Sequence, residues 1–180
     1  VSGTPINYSK GTVKNICFQI SETASEPFSM ISSNYGLVSD CVFTGSASFV
    51  QSTSESDSYI KPACLVFTNN GKIRFCTVDV NLAYSIDVPT EIDGDKTAFL
   101  CYFNYGEISD CLTAGKMAIK ENYTIYWLGF GAVAFLNQNS GTISRCLALT
   151  DLEIPTPDAR DAPVGTVVGI NYGNVSNAYY

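Results

Sequence analysis

Carboxylates and aromatic rings are the side chains here whose types and spacing could do chemistry. Four polar stretches, residues 46–62, 81–97, 116–130 and 151–163, hold Glu55, Asp57, Asp87, Glu91, Asp93, Asp95, Glu121, Asp151, Glu153, Asp158 and Asp161. Two acids about 5–10 Å apart suffice for glycoside cleavage without an imidazole, so a polysaccharide-active enzyme is one reading. A solvated acidic edge that keeps the protein soluble is the other. No spacing singles out an acid/base pair, so no residue is assigned a catalytic role. Tyr123-Thr-Ile-Tyr126-Trp127 contains the single tryptophan. Its flat faces, with Glu91 and Asp93, are the candidate ligand-binding set, because sugar rings present apolar C–H faces and hydroxyl donors. The same aromatics, interleaved with Ile125 and Leu128, equally suit the roof of a core. Glu91-Ile-Asp93-Gly-Asp95 lacks the later bidentate glutamate of a calcium loop, so no metal and no cofactor is assigned.

The 180 residues contain no histidine, which removes imidazole acid–base chemistry, Ser-His-Asp and Cys-His nucleophile pairs, and histidine-ligated zinc. Ten Lys and Arg against seventeen Asp and Glu leave a net charge of −7. That is the wrong sign for tracking phosphates, so nucleic acid is not expected as a partner. No apolar run reaches the roughly 18 residues of a membrane span. Val1-Ser-Gly-Thr-Pro has neither the basic nor the apolar region of a signal peptide, as expected of a chain whose signal is removed or of an excised segment.

The elements that must position these side chains follow from a repeated phrase. It reads Asn34-Tyr-Gly-Leu-Val-Ser-Asp-Cys41, Asn69-Asn-Gly-Lys-Ile-Arg-Phe-Cys76, Asn104-Tyr-Gly-Glu-Ile-Ser-Asp-Cys111, Asn139-Ser-Gly-Thr-Ile-Ser-Arg-Cys146 and Asn171-Tyr-Gly-Asn-Val-Ser-Asn-Ala178, with a degenerate copy around Gly11. The glycines at 11, 36, 71, 106, 141 and 173 are separated by 25, 35, 35, 35 and 32 residues. Asn and Gly accept left-handed torsions, so each Asn-x-Gly predicts a tight corner. Apolar, β-prone runs precede the corners, and none has the length or period of a helix.

A unit with one apolar face buries it by stacking on its neighbours. The expected fold is therefore all-β: a single domain over 1–180, a right-handed parallel β-helix (β-solenoid) of about five coils with a repeat of about 35 residues. Leucine-rich repeats would need a leucine spacing that is absent, and propeller blades would need hairpin turns on a schedule not seen here. Stacking turns each column into a ladder about 4.8 Å in pitch. Asn34, Asn69, Asn104, Asn139 and Asn171 should bond amide to amide. Val38, Ile73, Ile108, Ile143 and Val175 should face inward. Lys72 should lie beside Glu107, and Asp110 beside Arg145.

Cys41, Cys76, Cys111 and Cys146 share a column and are expected as free, buried fillers. A disulfide or a thiolate metal site are the alternatives, both disfavoured by geometry and spacing. Cys17, Cys64 and Cys101 sit in strand-like runs and are read the same way. Asn7, Asn122 and Asn174 head glycosylation sequons, meaningful in a eukaryotic secretory host.

The corner phrase resembles the GLUG motif of bacterial surface proteins, approximately Gly-Leu-Val-Gly-x-Asn-x-Gly-x-Ile-x-Asn-Cys. Gly165-Thr-Val-Val-Gly-Ile-Asn-Tyr-Gly-Asn-Val-Ser-Asn-Ala178 matches it over its whole length, and Phe135-Leu-Asn-Gln-Asn-Ser-Gly-Thr-Ile-Ser-Arg-Cys146 over its second half. The first glycine is absent from most copies, and Phe67 and Tyr102 stand where the motif has its second. The resemblance implies a β-helical, secreted or cell-surface module, bacterial and adhesin-like, with no catalytic residues. The expected function is a non-catalytic structural or adhesive stalk or fibre that presents loops to a glycan or to a host or cell-surface protein. The chain is expected either to continue into further repeats or to self-associate end to end.

Overall fold

The computed structural model describes residues 4–24, 29–51, 64–86, 95–120, 128–153 and 164–180. Among them the fold is all-β, with no helix. Every strand pairs in parallel with the strand one repeat away, and four sheets result. Sheet A contains Ile6–Ser9, Ser29–Asn34, Cys64–Asn69, Cys101–Asn104, Ala134–Asn137 and Val168–Asn171. Sheet B contains Thr12–Lys14, Leu37–Ser39, Lys72–Arg74, Glu107–Ser109, Thr142–Ser144 and Asn174–Ser176. Sheet C is longer-stranded: Cys17–Ala24, Val42–Gln51, Thr77–Ile86, Leu112–Lys120 and Leu147–Glu153. Sheet D is a small sheet of Asp95–Ala98, Leu128–Gly131 and Val164–Gly165. Among the described residues the chain visits A, B and C in each of the first three layers, and D, A and B in turn in the last three, an order compatible with a β-solenoid. Six strands stack in A and in B, one more layer than the expected five.

The inward faces of the sheets make one core. Val38, Ile73, Ile108 and Ile143 are at most 1% exposed, and each such aliphatic side chain contributes roughly 2–3 kcal/mol by leaving water. Val175 of the last layer is 40% exposed. Sheet C supplies alternating inward columns, among them Phe43 over Val78 and Ala47, Leu82 and Met117, all buried. This strict alternation extends sheet C into the polar stretches expected to start at 46, 81, 116 and 151, which therefore begin as strand.

The corners work differently from the expectation. Glycine opens the turn between sheets A and B because of close approach rather than left-handed torsion. A Cβ at Gly71 would collide with the Gly36 carbonyl, and one at Gly106 with the Gly71 carbonyl. The left-handed residue lies four positions later, at the turn between sheets B and C: Asn15, Asp40, Phe75, Asp110, Arg145 and Asn177, with φ of 50° to 58°. Asn and Asp tolerate that region by bonding their own backbone, whereas Phe75 and Arg145 bear its steric cost.

Phe67 and Tyr102 are the departures from the GLUG pattern, and they have a structural purpose. Their rings stack 5.0 Å apart at 8°, and Tyr102 stacks on Phe135 at 5.1 Å. With Cys64 and Ala98 they form a second apolar cluster apart from the main core. The next layer holds Gly169 in that column, next to the Val168 that pairs with Ala134.

Candidate functional site

The feature most of the repeat serves is a buried asparagine ladder at the end of sheet A. Each strand ends on an inward-facing side chain because the short corner must follow at once. Asn34 Nδ2 donates to Asn69 Oδ1 at 2.8 Å, Asn69 to Asn104 at 2.8 Å, Asn104 to Asn137 at 2.7 Å and Asn137 to Asn171 at 2.8 Å. The first four members are fully buried. The same Nδ2 groups donate to the Lys72, Glu107 and Thr142 carbonyls of the next layer at 3.2–3.4 Å. The Gly36 and Gly71 N–H groups donate back to Asn34 and Asn69 Oδ1 at 3.1 and 3.2 Å. One amide thus closes its own corner and clamps the next repeat, and no ionised partner is required.

Asn139 is not a member of the ladder. It is exposed in a turn, and Asn137 takes its place. The interval from Asn104 to Asn137 is 33 residues, two fewer than the preceding interval. The corner that follows is two residues longer, and Gly141 N–H donates to the Gln138 carbonyl inside it. The two changes cancel between Gly106 and Gly141, so equal glycine spacing conceals the slip. Register is set by the sheet A ladder, where Asn104 pairs with Asn137.

The cysteines are all free. Cys41, Cys76, Cys111 and Cys146 are buried at the turn into sheet C. Each thiol donates to the carbonyl two residues before it, those of Ser39, Arg74, Ser109 and Ser144, at 3.1–3.4 Å. Neighbouring thiols and burial push Cys41 and Cys111 well above the ordinary thiol range, and burial does the same to Cys64 and Cys101. Cys17 differs: it is exposed. It pairs with Val42 rather than Cys41, so it falls in an outward column, and Ile16 occupies the cysteine position of the first layer.

Charge on the outer side of sheet B is internally compensated. Lys72 meets Glu107 at 3.2 Å, Arg74 meets Glu107 at 2.8 Å, and Lys14 meets Asp40 at 3.6 Å. Arg145 donates to both Asp110 oxygens, at 2.6 and 2.7 Å. Burial pulls the Glu107 carboxyl up, but hydrogen bonds and charge from Lys72 and Arg74 outweigh it and hold the group below its ordinary value. The Arg145 fork holds Asp110 below its own. Further along, Glu153 pairs with Lys116.

The candidate ligand residues Glu91, Asp93, Tyr123, Tyr126 and Trp127 lie outside the described residues, as do Glu55, Asp57, Asp87, Glu121, Asp158 and Asp161. Among the described residues no group of three His, Cys, Asp or Glu is placed to hold a metal ion, and no helix is long and apolar enough to cross a membrane.

A column missed in the sequence stands next to the ladder. The residues following the ladder asparagines are Tyr35, Asn70, Tyr105, Gln138 and Tyr172. The backbone N–H of each donates to the carbonyl of the preceding layer's ladder position (Ser9, Asn34, Asn69, Asn104 and Asn137) at 2.7–2.8 Å. The Asn139 slip hid this alternation of ring and amide, which becomes legible once Asn137 is the register mark. No family model, no curated protein and no solved structure matches this chain.

Proposed function

We propose that the chain is a right-handed parallel β-helix serving as a non-catalytic structural module outside a bacterial cell: a stiff stalk or fibre-forming surface repeat that presents its connecting segments to a glycan or protein. The observation that carries the reading is the continuous asparagine ladder, Asn34 through Asn171, which links five layers with near-identical bonds. A stack held that way resists bending and can extend by adding layers without new chemistry. Right-handedness follows from the rule for parallel crossovers. Supporting the non-catalytic assignment, Asp40, Glu107, Asp110 and Glu153 are all engaged in ion pairs. The surface location rests on the GLUG resemblance.

Small-angle X-ray scattering with negative-stain electron microscopy tests this. Six layers advancing about 4.8 Å each make a single copy only about 24 Å tall, no longer than it is wide, so the expected signature is rods that form and lengthen by end-to-end joining at high concentration. Particles that stay single and compact at every concentration would overturn the fibre-forming stalk. Hydrolysis of a polysaccharide panel, lost on replacing Glu91, Asp93 or Glu121 by alanine, would replace it with the enzyme reading.

A further inference from the structure

The ring and amide column beside the ladder carries an inference separate from the connecting segments. Tyr35, Tyr105 and Tyr172 are 51%, 40% and 64% exposed, and Asn70 and Gln138 stand between them with Asn70 also exposed. All five lie at the turn between sheets A and B, where the backbone is tied to the layer below at every step. Adjacent layers of a parallel sheet are about 4.8 Å apart, so the rings recur about every 9.6 Å. A surface tyrosine has two side-chain torsions to order, and here its backbone is already ordered.

We propose that this column binds an extended, uncharged β-1,4-linked polysaccharide lying along the stack, of the cellulose or chitin type. Successive sugars in such a chain are flipped, so every second ring offers the same face. The tyrosine spacing is close to one disaccharide of the extended chain. Each tyrosine then stacks on the C–H face of alternate sugars, while Asn70 and Gln138 supply both donors and acceptors to hydroxyls between them. The neighbouring cations Lys72, Arg74 and Arg145 are already paired with Glu107 and Asp110. Lys10, exposed below Tyr35 in the same column, lies 5.6 Å over the Tyr8 ring, and the net charge of −7 works against binding a polyuronate or a sulfated chain, which favours a neutral one. The inference uses the register that the stalk reading also uses, and it does not need the connecting segments to bind anything.

Isothermal titration and retention on insoluble polysaccharide, with the whole chain, test it. Cellohexaose or chitohexaose is expected to bind with an affinity nearly independent of salt, and polygalacturonate is expected not to bind. Tyr105→Ala, which removes the central ring, should weaken binding by about ten-fold, corresponding to roughly 1.4 kcal/mol of stacking, and the triple alanine variant of the three tyrosines should abolish it. Tyr105→Phe keeps the ring and should keep most of the affinity. Tyr35→Asn combined with Asn70→Tyr preserves the number of rings and destroys their spacing, so it should lose as much as Tyr105→Ala. Thermal melts establish that each variant remains folded. The proposal fails if neither hexasaccharide binds, if the triple variant binds as wild type does, if the spacing swap is harmless, or if polygalacturonate binds equally. Material that joins end to end into rods but ignores both sugars would sink this proposal and leave the stalk standing; a binder that stays single at every concentration would do the reverse.

Discussion

Replacing Asn69 by alanine should cost a large part of the protein's stability, although it changes no charge and no large apolar contact. Asn69 accepts from Asn34 Nδ2 and donates to Asn104 Oδ1, each at 2.8 Å. It also accepts the Gly71 N–H at 3.2 Å and donates to the Glu107 carbonyl at 3.3 Å. Asn34 Nδ2 keeps the Lys72 carbonyl at 3.2 Å, so it is only partly orphaned. Asn104 Oδ1 and the Gly71 N–H lose these partners in a site where Asn69 and Asn104 are 0% exposed. Stranding a buried polar group costs about 1–3 kcal/mol, so two such groups together cost about 2–6 kcal/mol. A domain has only about 5–15 kcal/mol in total. Asn171 is exposed, so water can replace its bond to Asn137, and Asn171→Ala should cost about 1 kcal/mol or less. Asn137→Ala should resemble Asn69→Ala, whereas Asn139→Ala should fall within about 0.5 kcal/mol of wild type. Guanidinium denaturation at 25 °C, followed by far-ultraviolet circular dichroism and by fluorescence so that coincident transitions can be checked, measures all four. The reasoning is refuted if Asn69→Ala costs under about 1 kcal/mol, or if Asn139→Ala costs as much as Asn137→Ala.

Four other outcomes are expected. Phe75 holds a φ of 53° with its ring 57% exposed, so Phe75→Asn should stabilise by about 1 kcal/mol, seen as a higher melting temperature. The Thr113 hydroxyl is buried without a hydrogen-bond partner, in the column that holds Val78. Thr113→Val should therefore raise stability by about 1 kcal/mol, again read from the denaturation midpoint. Ellman's reagent should titrate one thiol of the native protein, Cys17, and all seven in denaturant; Cys17→Ser should leave none reactive in the native state. Glu107 and Asp110 have folded-state pKa values held below their ordinary 4.5 and 3.8. Their contribution is complete above those ordinary values and is lost as pH falls through the lowered ones, so a plot of melting temperature against pH should drop on the acid side. Glu107→Gln should flatten that drop.

Much of the architecture was legible because repetition is a long-range signal written locally. The phrase around Gly36, Gly71 and Gly106 recurs at 35 residues, and a column of inward Val and Ile can bury itself only against copies of itself. The ion pairs of Lys72 with Glu107 and of Arg145 with Asp110 were readable for the same reason, since register makes residues 35 apart into neighbours. The role of the glycine was not readable, because close approach to a carbonyl in the next layer and left-handed torsion select the same residue. The true left-handed position hid behind Phe75 and Arg145, which propensity alone would never put there. Cys17 was misplaced because one residue along a strand reverses its face.

The amino-acid sequence by itself determined that the chain is all-β, that it repeats, and that its interior is built from uncharged columns. Those properties depend on composition and period, which need no partner to be seen. Only the tertiary structure decided which asparagine completes the ladder, because backbone pairing in sheet A obeys the strand register and lets a corner absorb two extra residues. Only it decided, by the same register, that Tyr35, Tyr105 and Tyr172 form one exposed row at alternate layers. Sequence spacing counts residues along the chain, whereas stacking counts layers, and the two agree only where every excursion has the same length.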